Sequence, residues 1–291
     1  MEHVECSLEE IIPGVVQLVQ KAETDLPGDV EEALRMAHAH EHGVARTQLD
    51  ILLKNCELAR ETKRPLCQDT GVQTFFVSVG DKFPFWSQLQ HLIVAGVQRA
   101  TKDIPLRPNA IQIISGKNTG DNTGRNLPRI YWQQVEGTQA TITALPRGGG
   151  GENMTRVALL KPSNGLEGAV EFAVSSVLEA GGKPCPPVVV GVGIGGDADL
   201  CVQLGKQALL RKLGNHHGNP VIARLEETIV QRCNEQGVGP MGLGGNTTVL
   251  DAHVELAERH PAMFPVGVVI SCWALRRASM IINDDGSWEV E

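Results

Sequence analysis

Glycine is concentrated at three places in this chain, and these clusters separate segments with regular hydrophobic patterns. The clusters cover residues 148–151, 191–196 and 242–245 and belong to a chain with 32 glycines in 291 residues. Glycine adopts backbone conformations that are closed to other residues and lets the chain approach a ligand or a second element closely. The clusters therefore predict several short helices and strands joined by loops that carry function, rather than one continuous bundle or coiled coil.

Hydrophobic periodicity predicts the elements between these loops. Helical spacing predicts helices over 30–42, 46–62, 84–101, 166–179, 198–213 and 220–236. Runs of β-branched and apolar residues predict strands over 74–79, 109–114, 187–192, 250–256 and 265–271, and a hairpin formed by 129–135 and 139–145. We expect a mixed α/β or α+β fold, with helices flanking a mixed or largely antiparallel sheet. It would form one domain over 1–291, with room for two subdomains, a mainly helical one over about 1–105 and a mixed one over 106–291.

Charge and hydropathy argue against several classes of partner. The net charge is -8, and lysine and arginine are mixed with acidic residues, so no basic run is available to follow a nucleic-acid backbone. The first residues are acidic and interrupted by Pro13, unlike a secretory signal, and the longest apolar runs are too short to span a membrane. We expect a cytoplasmic protein without nucleic-acid or membrane partners, in which the seven cysteines are reduced.

Three of the cysteines share a local setting that the other four lack. Cys67, Cys185 and Cys272 each lie at a junction between a regular element and a loop, beside proline, glycine or other turn residues. Such junctions can direct backbone amides at a bound group, and amides directed at sulfur stabilise the negative charge of an iron–sulfur cluster. The intervals between the three are too long for a zinc ribbon or a ferredoxin motif. Spacing alone therefore favours the simpler interpretation of buried apolar thiols. The remaining four are interpreted as structural or incidental: Cys6, Cys56, Cys201 and Cys233.

Seven segments spread over nearly the whole chain carry a more specific signal. They are RPLCQDTG around Cys67, PLRPNA around Arg107, NTGDNTG at 118–124, GGGGENMTR at 148–156, KPCPPVVVGVGIGG at 183–196, GPMGLGGNTT at 239–248, and ERHPAMF leading to SCWALRR at 258–277. This set, in this order, resembles the alpha part of class I fumarases and of the related tartrate dehydratases. The resemblance implies the alpha-type fold of iron–sulfur hydro-lyases.

The resemblance implies a cofactor and its ligands. In that family three cysteines hold a [4Fe-4S] cluster and leave one iron without a protein ligand, which assigns Cys67, Cys185 and Cys272 as the ligands here. An open iron can act as a Lewis acid on the hydroxyl and a carboxylate oxygen of a hydroxy acid. Asp69 matches the family's carboxyl group for proton transfer to or from that hydroxyl. The alternative for Asp69 is a purely structural bond within the Asp-Thr-Gly turn.

The same resemblance implies residues that bind a dicarboxylate substrate. Arg107 matches the family's substrate-binding arginine, and a guanidinium can hold a carboxylate through two hydrogen bonds. Gln68, the backbone amides near Gly150, and His260 are the other implied contacts. Without the resemblance, Arg107 would be interpreted as an ordinary surface residue and His260 as a capping or surface residue.

The implied reaction is the reversible hydration of fumarate to malate. GGGGEN at 148–153 is closer to the fumarases, so fumarate is preferred over two alternatives, tartrate dehydratase and mesaconate hydratase. One-chain members of the family continue into a second domain that supplies a threonine base and further basic residues. Because this sequence ends at Glu291, we expect a separate beta subunit around an alpha2beta2 or homodimeric core. A non-catalytic cluster sensor or assembly protein, and a zinc hydrolase, are the alternatives from other classes.

The glycines of 191–196 also satisfy the dinucleotide-binding fingerprint. No second strand ending in an acidic residue follows at about 20 residues, where a ribose partner would be required. A similar segment at 244–248 lacks the lysine of a phosphate-binding loop. We therefore expect no Rossmann fold and no nucleotide, and we expect the glycines of 191–196 to let the backbone pack closely behind the iron–sulfur cluster.

Overall fold

The computed structural model describes residues 8–291, in which helices alternate with the strands of two mixed sheets. The helices are α1 Ile11–Thr24, α2 Gly28–His40, α3 Gly43–Thr62, α4 Leu89–Asp103, α5 Gly149–Glu152, α6 Gly165–Ala180, α7 Leu200–Ala208 and α8 Pro220–Asn234. The strands are β1 Thr74–Gly80, β2 Arg129–Val135, β3 Ala140–Ala144, β4 Arg156–Leu160, β5 Val188–Gly196, β6 Val249–Arg259, β7 Phe264–Ser271, β8 Ala278–Ile282 and β9 Trp288–Val290. Among the helices of this part of the chain, none has both the length and the hydrophobicity that crossing a membrane requires.

The chain forms two compact units that interleave in sequence. Of the described residues, the first contains 8–27, Cys56–Gly148 and Arg276–Glu291, and the second contains Gly28–Asn55 and Gly149–Leu275. Segments from both ends of the chain thus contribute to the first unit. The units do not follow the boundary near residue 105 that the sequence suggested, because long-range strand pairing unites distant segments.

The sheet of the first unit has the strand order β2-β1-β3-β8-β9. Strand β1 pairs parallel with β2, and the other neighbouring strands pair antiparallel. Helix α1 packs against α4, β3 and the C-terminal strands through a stripe of buried residues at helical spacing: Ile11, Val15, Leu18, Val19 and Ala22. Helix α1 was not predicted from the sequence. Its Pro13 lies in the first turn, where the missing N–H breaks no helical hydrogen bond.

The hairpin predicted for 129–135 and 139–145 is wrong. Both strands exist, but β1 lies between them, so that Phe76 is opposite Tyr131 on one side and opposite Thr143 on the other. The Glu-Gly-Thr turn signal between the two segments is local and does not specify which strands pair. The largely buried side chains of β1 favour a central position in the sheet, and β1 therefore displaces the short-range pairing.

The strand predicted over 109–114 is also absent. This segment forms one isolated bridge, between Ile111 and Asn118, and Ile113 and Ile114 are almost fully exposed to solvent. Its β-branched composition favours a strand, but no neighbouring strand of the described chain pairs with it. Residues 116–128 form a loop.

The sheet of the second unit has the strand order β4-β7-β5-β6. Strand β5 runs parallel to β6 and antiparallel to β7, which also pairs antiparallel with β4. Helices α6, α7 and α8 pack on this sheet, and almost every residue of β5 and β7 is buried. Burial on both faces explains why these strands are continuous apolar runs in the sequence. Neither sheet is the parallel, doubly wound sheet of a Rossmann fold, which confirms the expected mixed α/β class.

The glycines of β5 allow helix α7 to lie directly on the strand. A methyl group on Gly193 would overlap the carbonyl oxygen of Cys201, and one on Gly191 would overlap that of Gly205. Both obstructing atoms belong to backbone that cannot rotate away. These glycines thus allow close backbone packing against α7, and the predicted packing behind an iron–sulfur cluster stays a prediction.

We expect Gly193→Ala to lower the free energy of unfolding by about 3 kcal/mol, the upper end of the usual cost of overpacking a core. Urea unfolding of the purified chain would measure it. Gly218→Ala is the matched control, because an added methyl there meets nothing within 4 Å, and its effect should stay below about 0.5 kcal/mol. Equal stability of both variants would show that α7 can move away from β5 at no cost.

Candidate functional site

The loop between α3 and β1, residues 66–73, carries three of the predicted site residues. Cys67 and Asp69 are half-buried and Gln68 is exposed. The Asp69 N–H is directed at Cys67 Sγ at 3.4 Å, and Asp69 Oδ1 accepts a hydrogen bond from the Gly71 N–H at 2.9 Å. The loop therefore has the amide-to-sulfur contact expected of a cluster ligand, and it also contains the turn bond that was the structural alternative for Asp69.

Arg107 is brought to the same loop through Thr70. The buried Thr70 hydroxyl donates to the Arg107 carbonyl at 3.2 Å and accepts from the Arg107 N–H at 3.1 Å. Asn109 Nδ2 adds hydrogen bonds to Thr70 Oγ1 and to the Gly71 carbonyl. The Arg107 side chain itself is exposed, so its backbone is fixed beside the Cys67 loop while its guanidinium is open to an anionic ligand.

A buried polar network, not predicted from the sequence, lies against the other side of this loop. Glu23 is fully buried; its Oε2 pairs with Arg276 Nη1 at 2.5 Å and its Oε1 accepts from Gln73 Nε2 at 3.0 Å. Burial raises the pKa of the Glu23 carboxyl, and the Arg276 charge opposes that rise. The one sequence signal for this network is a glutamate next to Ala22 within the apolar stripe of α1.

In the second unit, Cys185 and Cys272 lie at the same end of two neighbouring central strands of the sheet, β5 and β7. Cys185 precedes β5 and Cys272 follows β7, and these antiparallel neighbours place Val189 opposite Ser271. The Trp273 N–H donates to the Cys185 carbonyl at 3.2 Å, which ties the two loops together. Cys185 has a φ of 54°, a left-handed conformation that is uncommon for residues other than glycine.

Gly150 belongs to the neighbourhood of Cys185. It lies in the short helix α5, and a side chain there would begin 3.3 Å from the carbonyl oxygen of Lys183. Gly150 thus lies beside the turn that carries Cys185, and Cys272 lies beside the same turn through Trp273.

His260 does not lie at the strand ends where Cys185 and Cys272 are found. It follows β6, which runs parallel to β5 with Arg259 opposite Gly196, so it lies where β5 ends rather than where β5 begins. The two ends of a strand as long as β7 are about 25 Å apart. His260 is exposed, and its Nδ1 accepts a hydrogen bond from the Ala262 N–H at 3.1 Å. This local contact fits the capping role that the sequence offered for His260 as the alternative to substrate binding.

The remaining described cysteines differ from the three candidates. Cys56, Cys201 and Cys233 are buried, whereas Cys67, Cys185 and Cys272 are half-buried. Burial raises the pKa of the Cys201 thiol, and it raises that of Cys233 to about 12, so neither supplies a thiolate at neutral pH. Cys6 lies outside the described residues.

Cysteine sulfur is the usual protein ligand of an iron–sulfur cluster, and all three candidates are half-buried. A backbone amide is directed at the sulfur of Cys67, whereas the Cys272 thiol lies 3.7 Å from the Ala274 carbonyl oxygen. One candidate belongs to the first unit and two belong to the second. Residues 8–291 contain no group of three His, Cys, Asp or Glu side chains arranged to hold a metal ion. The ligand set stays a prediction.

Comparison with known proteins gives matches that span nearly the whole chain. The family model for fumarate hydratase (Fumerase) matches residues 13–281. The chain is 43% identical to the "Putative L(+)-tartrate dehydratase subunit alpha" of Methanocaldococcus jannaschii, over 93% of this chain and 97% of that protein. It is 37% and 36% identical to the L(+)-tartrate dehydratase subunit alpha of Escherichia coli O157:H7 and of Escherichia coli K12, each over 97% of this chain and 93% of the relative.

Proposed function

Because the chain belongs to the fumarate hydratase (Fumerase) family of hydro-lyases, we propose that it is the alpha subunit of an iron–sulfur L(+)-tartrate dehydratase. The observation that carries the proposal is the set of relatives named L(+)-tartrate dehydratase subunit alpha, which align over more than nine-tenths of both chains. Hydration of fumarate to malate is the second candidate, supported by the name of the matching family.

This proposal replaces the preference for fumarate that residues 148–153 suggested. That segment contributes mainly glycine backbone, which can contact a carboxylate. Tartrate, malate and fumarate all carry two carboxylates and differ in their hydroxyl groups. A glycine-rich segment therefore carries little information about which of them is bound.

The chain's own residues can be assigned roles in such a reaction. A [4Fe-4S] cluster held by Cys67, Cys185 and Cys272 would supply a Lewis-acid iron for the departing hydroxyl. Asp69 would exchange the proton that accompanies this hydroxyl, from a carboxylate whose orientation is set by the Gly71 N–H.

Substrate binding is assigned to groups whose exposure and position suit a dicarboxylate. The exposed Arg107 guanidinium can hold one carboxylate through two hydrogen bonds. Gln68, one residue from Cys67, and the backbone N–H groups near Gly150 can donate further hydrogen bonds. His260 is given no role in this assignment, because the structure places it at the opposite end of the strands of the second unit's sheet from Cys185 and Cys272.

The relatives are named alpha subunits, which implies a second type of subunit in those enzymes. We propose that a separate beta subunit completes the site here and supplies the base that removes the carbon-bound proton. The alpha chain alone is then expected to bind iron and sulfide but to turn over substrate poorly.

The test is anaerobic co-expression with the beta subunit, followed by assays with L(+)-tartrate, malate, fumarate and mesaconate. We expect L(+)-tartrate to be the substrate with the highest kcat/KM, and the alpha chain alone to have less than a hundredth of that activity. Faster hydration of fumarate would favour the second candidate. A pair that binds iron and sulfide but converts none of these acids would favour a cluster sensor or assembly protein.

A further inference from the structure

We propose that Glu23 and Arg276 are positioning residues that hold the loop of residues 66–73 and orient the Asp69 carboxylate within it. The proposal rests on the proposed function only for the role of Asp69. The holding of the loop can be tested without any enzyme activity.

The pair is buried and joins segments far apart in the sequence. Glu23 ends the apolar stripe of α1, Arg276 lies just before β8, and the side chains are 0% and 2% exposed. An ion pair removed from water is often no more stabilising than apolar side chains of similar volume. Stability alone is therefore a weak explanation for burying these two charges in the core of the first unit.

Glu23 contacts the loop at both of its ends. Its backbone carbonyl accepts a hydrogen bond from the Leu66 N–H at 2.8 Å, one residue before Cys67. Its side-chain Oε1 accepts from Gln73 Nε2 at 3.0 Å, and the same nitrogen donates to the Thr70 carbonyl at 3.3 Å. The start, middle and end of the loop are thus connected to one glutamate.

Arg276 extends the network to Asp69. One guanidinium nitrogen, Nη1, pairs with Glu23, while Nη2 faces Gly148. A Cβ atom added to Gly148 would lie 3.6 Å from Arg276 Nη2 and 3.1 Å from Asp69 Oδ2. The Arg276 guanidinium and the Asp69 carboxylate therefore both border the space beside Gly148. The negative charge of Asp69 opposes that of Glu23, and the positive charge of Arg276, which pairs with Glu23, favours it.

A double variant separates positioning from simple structural support. Glu23→Gln combined with Arg276→Met removes both charges together, so that no unpaired charge stays buried, and the melting temperature should stay near that of the wild type. If the pair positions the loop, kcat per bound cluster should fall by about 10- to 100-fold, the usual effect of losing a supporting partner of a site. The KM should rise as well, because Gln68 lies in this loop and the Thr70 hydroxyl fixes the Arg107 backbone.

The second readout uses the alpha chain without iron. Alkylation of each cysteine by iodoacetamide, followed by peptide mass spectrometry, should show Cys67 reacting several-fold faster in the double variant than in the wild type. Cys185 and Cys272, which belong to the other unit, should react at unchanged rates and serve as internal references.

The matched control is the buried ion pair of the second unit, in which Arg211 Nη1 meets Glu226 Oε1 at 2.6 Å and Glu226 is fully buried. Glu226→Gln combined with Arg211→Met should leave the Cys67 rate and kcat unchanged. Wild-type values of both quantities in the Glu23 and Arg276 double variant would overturn the proposal.

If that double variant does not fold, Arg276→Lys is the second variant, because lysine keeps the positive charge but lacks the two terminal nitrogens of the guanidinium. An unchanged rate of Cys67 alkylation in Arg276→Lys would also overturn the proposal. If the wild-type complex of alpha and beta subunits converted none of L(+)-tartrate, malate, fumarate and mesaconate, the proposed function would be rejected. The alkylation result on the alpha chain would still test whether Glu23 and Arg276 hold the loop.

Discussion

Replacing Cys67, Cys185 or Cys272 singly by alanine is expected to abolish both cluster binding and hydro-lyase activity of the alpha–beta pair. Each substitution would remove one of three thiolate ligands, and the iron that activates the hydroxyl would no longer be retained. Lewis-acid stabilisation of the departing oxygen is worth several kcal/mol, so losing it should lower kcat by on the order of 10³-fold or more. The measurements are iron and sulfide per chain and the initial rate under anaerobic conditions.

The controls are Cys201→Ala and Cys233→Ala. Both thiols are buried and their raised pKa values keep them protonated. These variants should bind as much iron and sulfide as the wild type, and their only change should be a modest fall in melting temperature from the smaller side chain. Full iron content and activity in any one of the three ligand variants would refute the assigned ligand set.

Asp69→Asn is expected to lower kcat by about 10²- to 10⁴-fold, the usual contribution of a positioned proton-transfer group. Asparagine keeps an oxygen that can accept the Gly71 N–H bond, so the turn should persist while the ability to transfer a proton is lost. Iron and sulfide content should therefore equal that of the wild type, and the KM should change little.

Asp121→Asn tests the structural alternative for Asp69 directly. Asp121 Oδ1 accepts from the Thr123 N–H at 3.0 Å, which is the same two-residue turn bond that Asp69 makes to Gly71. This variant should retain wild-type kcat. If Asp69→Asn also had wild-type activity, the Asp69 carboxylate would be no more than part of a turn.

Much of the secondary structure could be predicted because it depends on neighbours close in sequence. The helices predicted over 46–62 and 166–179 match α3 and α6 to within a few residues, and the strand over 265–271 matches β7. The hairpin predicted over 129–145 is wrong because strand pairing depends on residues distant in the sequence. A turn signal reports local backbone preference, whereas insertion of β1 between the two strands depends on burial across the whole sheet.

The candidate site shows the same division. Local motifs marked Cys67, Cys185 and Asp69, and each of the three lies in a loop, whereas their ligand and proton-transfer roles stay predictions. Glu23 and Arg276 were missed because they are separated by 253 positions and no local pattern marks such a pair.

Short-range sequence patterns were thus sufficient for most element positions, for the family and for the residues proposed to bind the cluster. The three-dimensional fold was needed to order the strands, to place Cys185 and Cys272 at one end of the strands with His260 at the other, and to reveal the buried pair of Glu23 and Arg276. Helix periodicity and loop motifs arise within a few residues of chain. Strand order and buried ion pairs arise from contacts between distant segments, whose free energy exists only once those segments pack together.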